Sequence, residues 1–398
     1  MSQRNSDINA LVQDLSSFQK EREIEELLKA TLAEPLTTEE KLRQIERGLE
    51  TFKELGLFGK DDARDLHLLL TLGHAYERLS HLEKAYETYQ PALALAERLQ
   101  DAGTRAKLLS RMGKVLSRWN RWEEALQYLQ RSGKAYEELG DKQGQARVAV
   151  NRGIVFYEQG DYEAAREAYE EALNLAQEAG DRQTLADASN NLAVLATIRG
   201  SLDDAVTRYQ TCLAMYEAAG DRPGLARAYH NLGMTHADRQ DWNAAMDCYE
   251  RGFDIAQEKG HLNVMANIYL SRAELLLGLG DSSMSATCCA RALDIYRNTG
   301  DHLGEADTYR LLGRVFTLWR RWTTATNLFQ DSLRLNEEYG HSLGAAEAHR
   351  DLGKMHAARG RRTEARTSFE AALSGFRKLG ASVDVAEVLR LMEALDSP

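Results

Sequence analysis

Apolar and polar positions alternate along this chain with a helical spacing, and the helical pattern itself returns every forty residues. In "ARAYHNLGMTHADRQDWNAAMDCYERGF" (226–253), small and apolar residues come back every three or four positions and are interrupted by a polar stretch near 238–241. Stepping by forty from Gly73 gives Gly73, Gly113, Gly153, Ala193, Gly233, Ala273, Gly313 and Gly353. A second small column runs Ala85, Ala125, Ala165, Ala205, Ala245, Ser285, Ala325, Ala365. Four residues later comes a bulkier one: Tyr89, Leu129, Tyr169, Tyr209, Tyr249, Cys289, Phe329, Phe369. Small residues let two helix backbones approach, and the larger side chain fills the space beside them.

The turns keep the same period. Gly140–Asp141, Gly180–Asp181, Gly220–Asp221 and Gly300–Asp301 join one unit to the next, and Gly160–Asp161 and Gly280–Asp281 fall half a unit away. Glycine suits the left-handed position past a helix C-terminus, and aspartate caps the next N-terminus. Each unit is therefore predicted to be two helices, A (near 142–158 in one unit) and B (near 162–178), in an αα-hairpin. One hairpin cannot bury its apolar face alone, so hairpins stack into an all-α solenoid. The expected organisation is a helical cap with a degenerate repeat at 1–60, eight units at 61–380 and a C-terminal capping helix at 381–398. At the N-terminal end, residues 7–33 carry helical periodicity, Pro35 breaks the chain, and Leu42, Ile45, Leu49, Phe52 and Leu55 give 40–56 the spacing of a B helix.

The stretch 226–253 resembles the tetratricopeptide repeat (TPR), with Tyr229, Leu232, Gly233, His236, Ala245 and Tyr249 at the places of its signature. The forty-residue variant, with "GDR" at junctions and "NLG" in helix A, is similar to the LGN/Pins group and, less closely, to kinesin light chains. The resemblance implies a right-handed superhelix of helix-turn-helix units whose A helices line a concave groove, and a role in protein–protein interaction.

Composition narrows the function. The formal charge of −11 disfavours nucleic-acid and membrane partners. The N-terminal stretch has no signal-peptide pattern, and no apolar run is long enough to span a bilayer. Cys212, Cys248, Cys288 and Cys289 lack zinc spacing and read as reduced thiols, consistent with a cytoplasmic protein. No phosphate-binding loop, dinucleotide fingerprint, zinc-protease or hydrolase motif is present, so neither catalysis, a metal nor a cofactor is expected. Trp119, Trp122, Trp242, Trp319 and Trp322 fall at A–B turns and are expected to pack hairpin tips.

One helix face is left for binding. With Gly233 placed on the packed side, Arg227, Asn231, Met234 and Asp238 share the opposite stripe. Asn231 has counterparts in Asn151 and Asn191, and an amide can donate to and accept from a peptide backbone. The same stripe carries Lys107, Arg111, Lys114, Arg118 and Arg147, while Ile154, Val194 and Met234 add exposed apolar groups beside the amides. With His230 next to Asn231, these thirteen residues are the candidate partner-binding set. The expected ligand is an extended acidic segment with an apolar anchor. The alternatives are a self-assembling scaffold, with homo-oligomers formed through the terminal helices, and a peptide-sensing regulatory subunit of an enzyme or signalling complex.

Overall fold

The computed structural model describes residues 62–396 apart from 79, 80, 259 and 380, together with 46 and 47. The elements expected at 7–33 and 40–56 lie outside the described residues, except for the two helical residues 46 and 47. Seventeen α-helices and no strand occur among the described residues.

The chain divides into two compact units, 1–184 and 185–398. The first contains α1 (Asp62–Arg78), α2 (Leu82–Arg98), α3 (Ala102–Arg118), α4 (Trp122–Glu138), α5 (Lys142–Glu158) and α6 (Tyr162–Ala179). Next comes α7 (Arg182–Ile198). The second unit continues with α8 (Leu202–Ala219), α9 (Arg222–Asp238), α10 (Trp242–Glu258), α11 (Leu262–Gly278), α12 (Ser282–Thr299), α13 (His302–Leu318), α14 (Trp322–Glu338), α15 (Ser342–Ala358), α16 (Arg362–Lys378) and α17 (Ser382–Asp396). Odd-numbered helices up to α15 are the A helices and even-numbered ones the B helices. Within each unit successive helices pack as hairpins, and each hairpin packs on the next.

The chain turns every twenty residues by one device. Residues 140, 160, 180, 200, 220, 260, 280, 300, 340 and 360 are glycines with φ between 65° and 90°, and Gln100, Asn120, Gln240 and Arg320 hold the same left-handed conformation. The aspartates that follow several of these positions cap the next helix. Asp141 accepts from the Gly144 amide at 2.8 Å, Asp221 from Gly224 at 3.1 Å and Asp301 from Gly304 at 3.0 Å.

The small and bulky columns meet inside each hairpin. A Cβ built on Gly113 would lie 2.7 Å from Leu129 Cγ, one on Gly233 2.6 Å from Tyr249 Cε1, and one on Gly313 2.7 Å from Phe329 Cε1. All are below any tolerable contact, so at these positions glycine is what lets the A and B backbones close, whereas Ala193 packs in one core cluster with Tyr209 and that hairpin closes on a methyl. Where the small residue is Ala273, the B-helix partner shrinks to Cys289, and Ser285 Oγ donates to the Ala273 carbonyl at 2.8 Å.

A second size match, between hairpins, is not apparent from those columns. Tyr136, Tyr216 and Tyr296 near the ends of B helices lie against Gly144, Gly224 and Gly304 at the starts of the next A helices, where any Cβ would overlap the ring. Asn336 and Gly344 make the same match. Where the B-helix residue is Ala96, Ala176 or Ala256, the facing position holds Thr104, Thr184 or Val264. Large meets glycine at these junctions, and in the sequence they alternate with alanine and a branched residue at the same two places as far as Gly304.

Trp119, Trp122 and Trp322 pack against the core at hairpin tips, whereas Trp242 and Trp319 are exposed. The Arg121 guanidinium lies 4.8 Å from the Trp119 ring centroid and 5.4 Å from that of Tyr86, and the Trp319 indole donates to Ser282 Oγ at 2.9 Å. All four cysteines are free and buried. Burial pushes the thiols of Cys212 and Cys289 up to about 12, so neither is a nucleophile near neutral pH. No described helix is long and apolar enough to cross a membrane.

Candidate binding site

The candidate residues fall into two groups, one in each unit. In the first unit Lys107, Arg111, Lys114 and Arg118 lie on α3, and Arg147, Asn151 and Ile154 on α5. All are exposed or half-buried, as a binding stripe requires. The stripe has an anchor that a single-helix projection leaves out. Glu77, on the neighbouring A helix α1, is buried, and its carboxylate meets Arg111 at 3.1 Å and Lys114 at 3.2 Å and accepts from the Tyr89 hydroxyl at 3.1 Å. Arg118 donates to the Glu77 carbonyl at 3.2 Å. Burial alone would raise the Glu77 carboxyl, but Lys114 and Arg111 beside it outweigh that and hold it below the usual range. Four cations and one carboxylate leave this face at +3 (4 − 1). Two of the cations are fixed in place as counterions.

The asparagines have neighbours too. Asn151 Nδ2 donates to Ser110 Oγ at 3.3 Å, and Asn231 Nδ2 to Asn190 Oδ1 at 3.4 Å. His230 and Ser271 are paired at 2.8 Å, and Arg310 and Asp351 at 3.3 Å. Each pair is separated by forty-one residues, one period plus one. Adjacent A helices meet there, and polar side chains on this line tie one repeat to the next.

In the second unit Asn191 and Val194 lie on α7, and Arg227, His230, Asn231 and Met234 on α9. Arg227 stands 3.5 Å from Asp187, which also accepts from the Tyr216 hydroxyl at 2.7 Å. His230 and Met234 open into a cavity of about 430 Å³ between α9, α11 and α13. Its other walls include Asn267, Ser271, Glu274, Asp307, Arg310 and the apolar Leu270, Leu303 and Leu311. Asn267 Oδ1 is held by the Tyr296 hydroxyl at 2.6 Å. Burial pushes the Asp307 carboxyl up, with Arg310 pulling it back, and burial likewise holds the His230 imidazole down at about 4. His230 is therefore neutral near pH 7.

Arg310 is nearly enclosed by Asp307 at 3.9 Å, Glu347 at 3.2 Å and Asp351 at 3.3 Å. Arg350 and Lys354 continue this network to Asp384 and Glu387 on α17, at 2.7 Å and 2.8 Å. The cavity walls carry Asp301, Glu274 and Asp307 against Arg310, a balance of −2 (1 − 3). The first unit's A-helix face is thus positive and this cavity negative.

Of the thirteen candidates only His230 and Met234 line the cavity. Asn267, Ser271, Asp307 and Arg310 were not among them. Asn267 and Asp307 stand in the Arg227 column, Ser271 in the Asn231 column and Arg310 in the His230 column. The signal that would have found them is position within the repeat, whichever residue type stands there. Among the described residues no group of three or more His, Cys, Asp or Glu side chains is placed to hold a metal ion.

Several solved structures share this architecture. A Rap protein complexed with Competence and Sporulation Factor matches with a TM-score of 0.61 at 13% identity, over 91% of this chain and 98% of its own. The apo form of the quorum sensor NprR from B. thuringiensis gives 0.56 at 14% identity, over 89% and 99%. Aspartyl phosphate phosphatase F from Bacillus subtilis gives 0.56 at 14%, over 88% and 93%. At these identities the likeness is one of fold. The finer resemblance to LGN/Pins proteins and kinesin light chains has no counterpart among these three. No curated protein matches the chain. Matches to the tetratricopeptide repeat family cover residues 64–138, 104–178, 184–258 and 264–338, more than half of the sequence. With its stacked hairpins, glycine-gated A–B contacts and twenty-residue turns, the chain belongs to the tetratricopeptide repeat family.

Proposed function

We propose that this chain is a non-catalytic, cytoplasmic interaction scaffold that takes an extended segment of a partner protein along the A-helix face of its repeats. The observation that carries this reading is the cavity in the second unit. It is lined mostly by A-helix side chains, it exposes the Asn267 side chain, whose Oδ1 is held by Tyr296, and Met234 and Leu270 offer it apolar contact. Asn191 and Asn231 extend the amide-bearing surface, and Lys107, Arg118 and Arg147 provide a positive face for an acidic stretch. The proposed ligand has an acidic stretch for that positive face and an uncharged apolar anchor for the negative cavity, and it is recognised without a cofactor. A peptide-sensing regulator is the second reading. It is favoured by the fold shared with a Rap protein that was crystallised with Competence and Sporulation Factor.

Two fluorescein-labelled peptides test the first reading, one glutamate-rich and one lysine-rich, each with a single leucine. Anisotropy should show the acidic peptide binding more tightly. Lys107→Glu with Arg147→Glu should remove that preference and its salt dependence, because exposed charges act on encounter. Asn191→Ala with Asn231→Ala should weaken both peptides by ~1–3 kcal/mol through lost backbone partners. Equal binding of both peptides by all three proteins, with helical content unchanged, would exclude the A-helix face.

A further inference from the structure

One B-helix position sets the second repeat apart from the rest. A leucine stands there in six of the other seven repeats, Leu93 and Leu373 among them, and Phe253 stands in the seventh. In the second repeat the position is Gly133. These side chains fill the seam between a B helix and the following A helix: Leu93 clusters with Leu108, Phe253 with Ile268 and Leu373 with Val388. The residue facing Gly133 is Val148, whose Cγ1 would be in ordinary contact, 3.7 Å, with a Cβ built on Gly133. A Cβ fits at this position without displacing a neighbour, and none is there.

A cavity of about 530 Å³ lies over this position, between α4 and α5, with Glu171 of α6 at its edge. Leu126 and Phe156, both half-buried, form its accessible apolar wall over the buried Leu129 and Val148, and Gln127, Gln130 and Gln145 form its polar margin. The glycine carries two costs at once. It forgoes a side chain that is half-buried or buried in the other repeats, and it is the poorest helix former after proline in the middle of a helix. Packing within the chain accounts for neither.

We propose that the seam at Gly133 is a docking site for a partner segment that presents one leucine-type aliphatic side chain, inserted where the other repeats place their own. The repeats themselves are the template for the occupant. Every equivalent seam with a side chain of its own is filled by leucine or phenylalanine, and the wall at Gly133 is built to the same plan. The three glutamine amides serve the main chain on either side of the inserted residue. Charge at the margin is balanced, Lys134 and Arg152 against Glu137 and Glu171, with Arg152 and Glu171 paired at 3.2 Å. Recognition here is therefore by shape. The site is separate from the A-helix stripe and does not rest on its reading.

Gly133→Leu supplies the missing side chain from within and is the direct test. A displayed library of random short peptides is panned on the wild-type chain and counter-selected on Gly133→Leu. The retained peptides should share one leucine or similar aliphatic residue. They should bind Gly133→Leu at least roughly tenfold more weakly, with Gly133→Ala between the two. Gly133→Leu should also melt above wild type, since it adds both packing and helix propensity. Three results would overturn the proposal: no peptide that distinguishes the proteins, retained peptides without a common aliphatic residue, or a Gly133→Leu variant that melts below wild type. A wild-type dimer in size-exclusion chromatography that Gly133→Leu dissociates would also overturn it, by making the occupant a second copy of this chain.

Discussion

His230 occupies a line of A-helix positions that holds Leu70, Ser110, Val150, Asn190, Leu270, Arg310 and Arg350 in the other repeats. At four of these eight positions the residue bonds a partner one period and one residue further on: serine with asparagine, asparagine with asparagine, histidine with serine, arginine with aspartate. For His230 this has a consequence in acid. Its folded pKa of about 4 lies below the ordinary 6.5, so the unfolded chain binds the proton more readily. The stabilisation from keeping the ring neutral is complete above pH 6.5 and is lost as pH falls towards 4, at a cost of about 3 kcal/mol at the acid end. Replacing His230 by glutamine keeps a hydrogen-bonding group for Ser271 and removes the titration. Between pH 7 and pH 4 the wild type should lose about 3 kcal/mol more unfolding free energy than His230→Gln. Parallel losses would mean that water reaches the ring. Position along this line was readable in the sequence, but its pairing was not, because the partner lies one residue off the forty-residue column. Glu77 escaped for a related reason: it anchors the cations of the next helix from a buried place that their own stripe does not include.

Between elements, the A–B contact is gated by a glycine and closed by a ring. A methyl group on Gly233 would stand 2.6 Å from the Tyr249 ring and 3.2 Å from the Ala245 carbonyl, so Gly233→Ala should cost ~1–3 kcal/mol by overpacking. The chain itself carries that methyl twice, at Ala193 beside an intact Tyr209 and at Ala273 beside the smaller Cys289. Adding Tyr249→Cys to Gly233→Ala should therefore cost less than the two single changes summed, as thermal unfolding of the four proteins in the cycle can measure. Strict additivity would separate the two columns. This level of the fold was the most legible. Repetition displays the glycine-and-ring match in five of the eight repeats, so that Gly73 and Tyr89 explain each other through Gly153 and Tyr169. The helix starts at Asp141, Asp221 and Asp301 were equally plain, because one glycine and one carboxylate do the same work at each junction. The candidate site was less legible because function departs from the repeat, and a departure such as Gly133 has meaning only against the filled seams of the other repeats.

For the molecule as a whole, the size matching at hairpin junctions has a period of two repeats. Tyr136, Tyr216 and Tyr296 alternate with Ala96, Ala176 and Ala256, and the facing glycines alternate with branched residues. The forty-residue repeat is thus the unit of folding pattern, while eighty residues is the unit that can be copied or cut without a mismatch. Removing 221–260 would bring Tyr216 against Val264, a ring onto a branched side chain. Removing 221–300 would bring Tyr216 against Gly304, a junction of the native kind. Stability in stacked repeats normally falls with each repeat lost. Here the shorter protein, lacking 221–300, should melt above the longer one, lacking 221–260, and calorimetry of the two would show the order. A lineage that grew by duplicating pairs would leave this arrangement behind, and it would lose repeats most readily in twos.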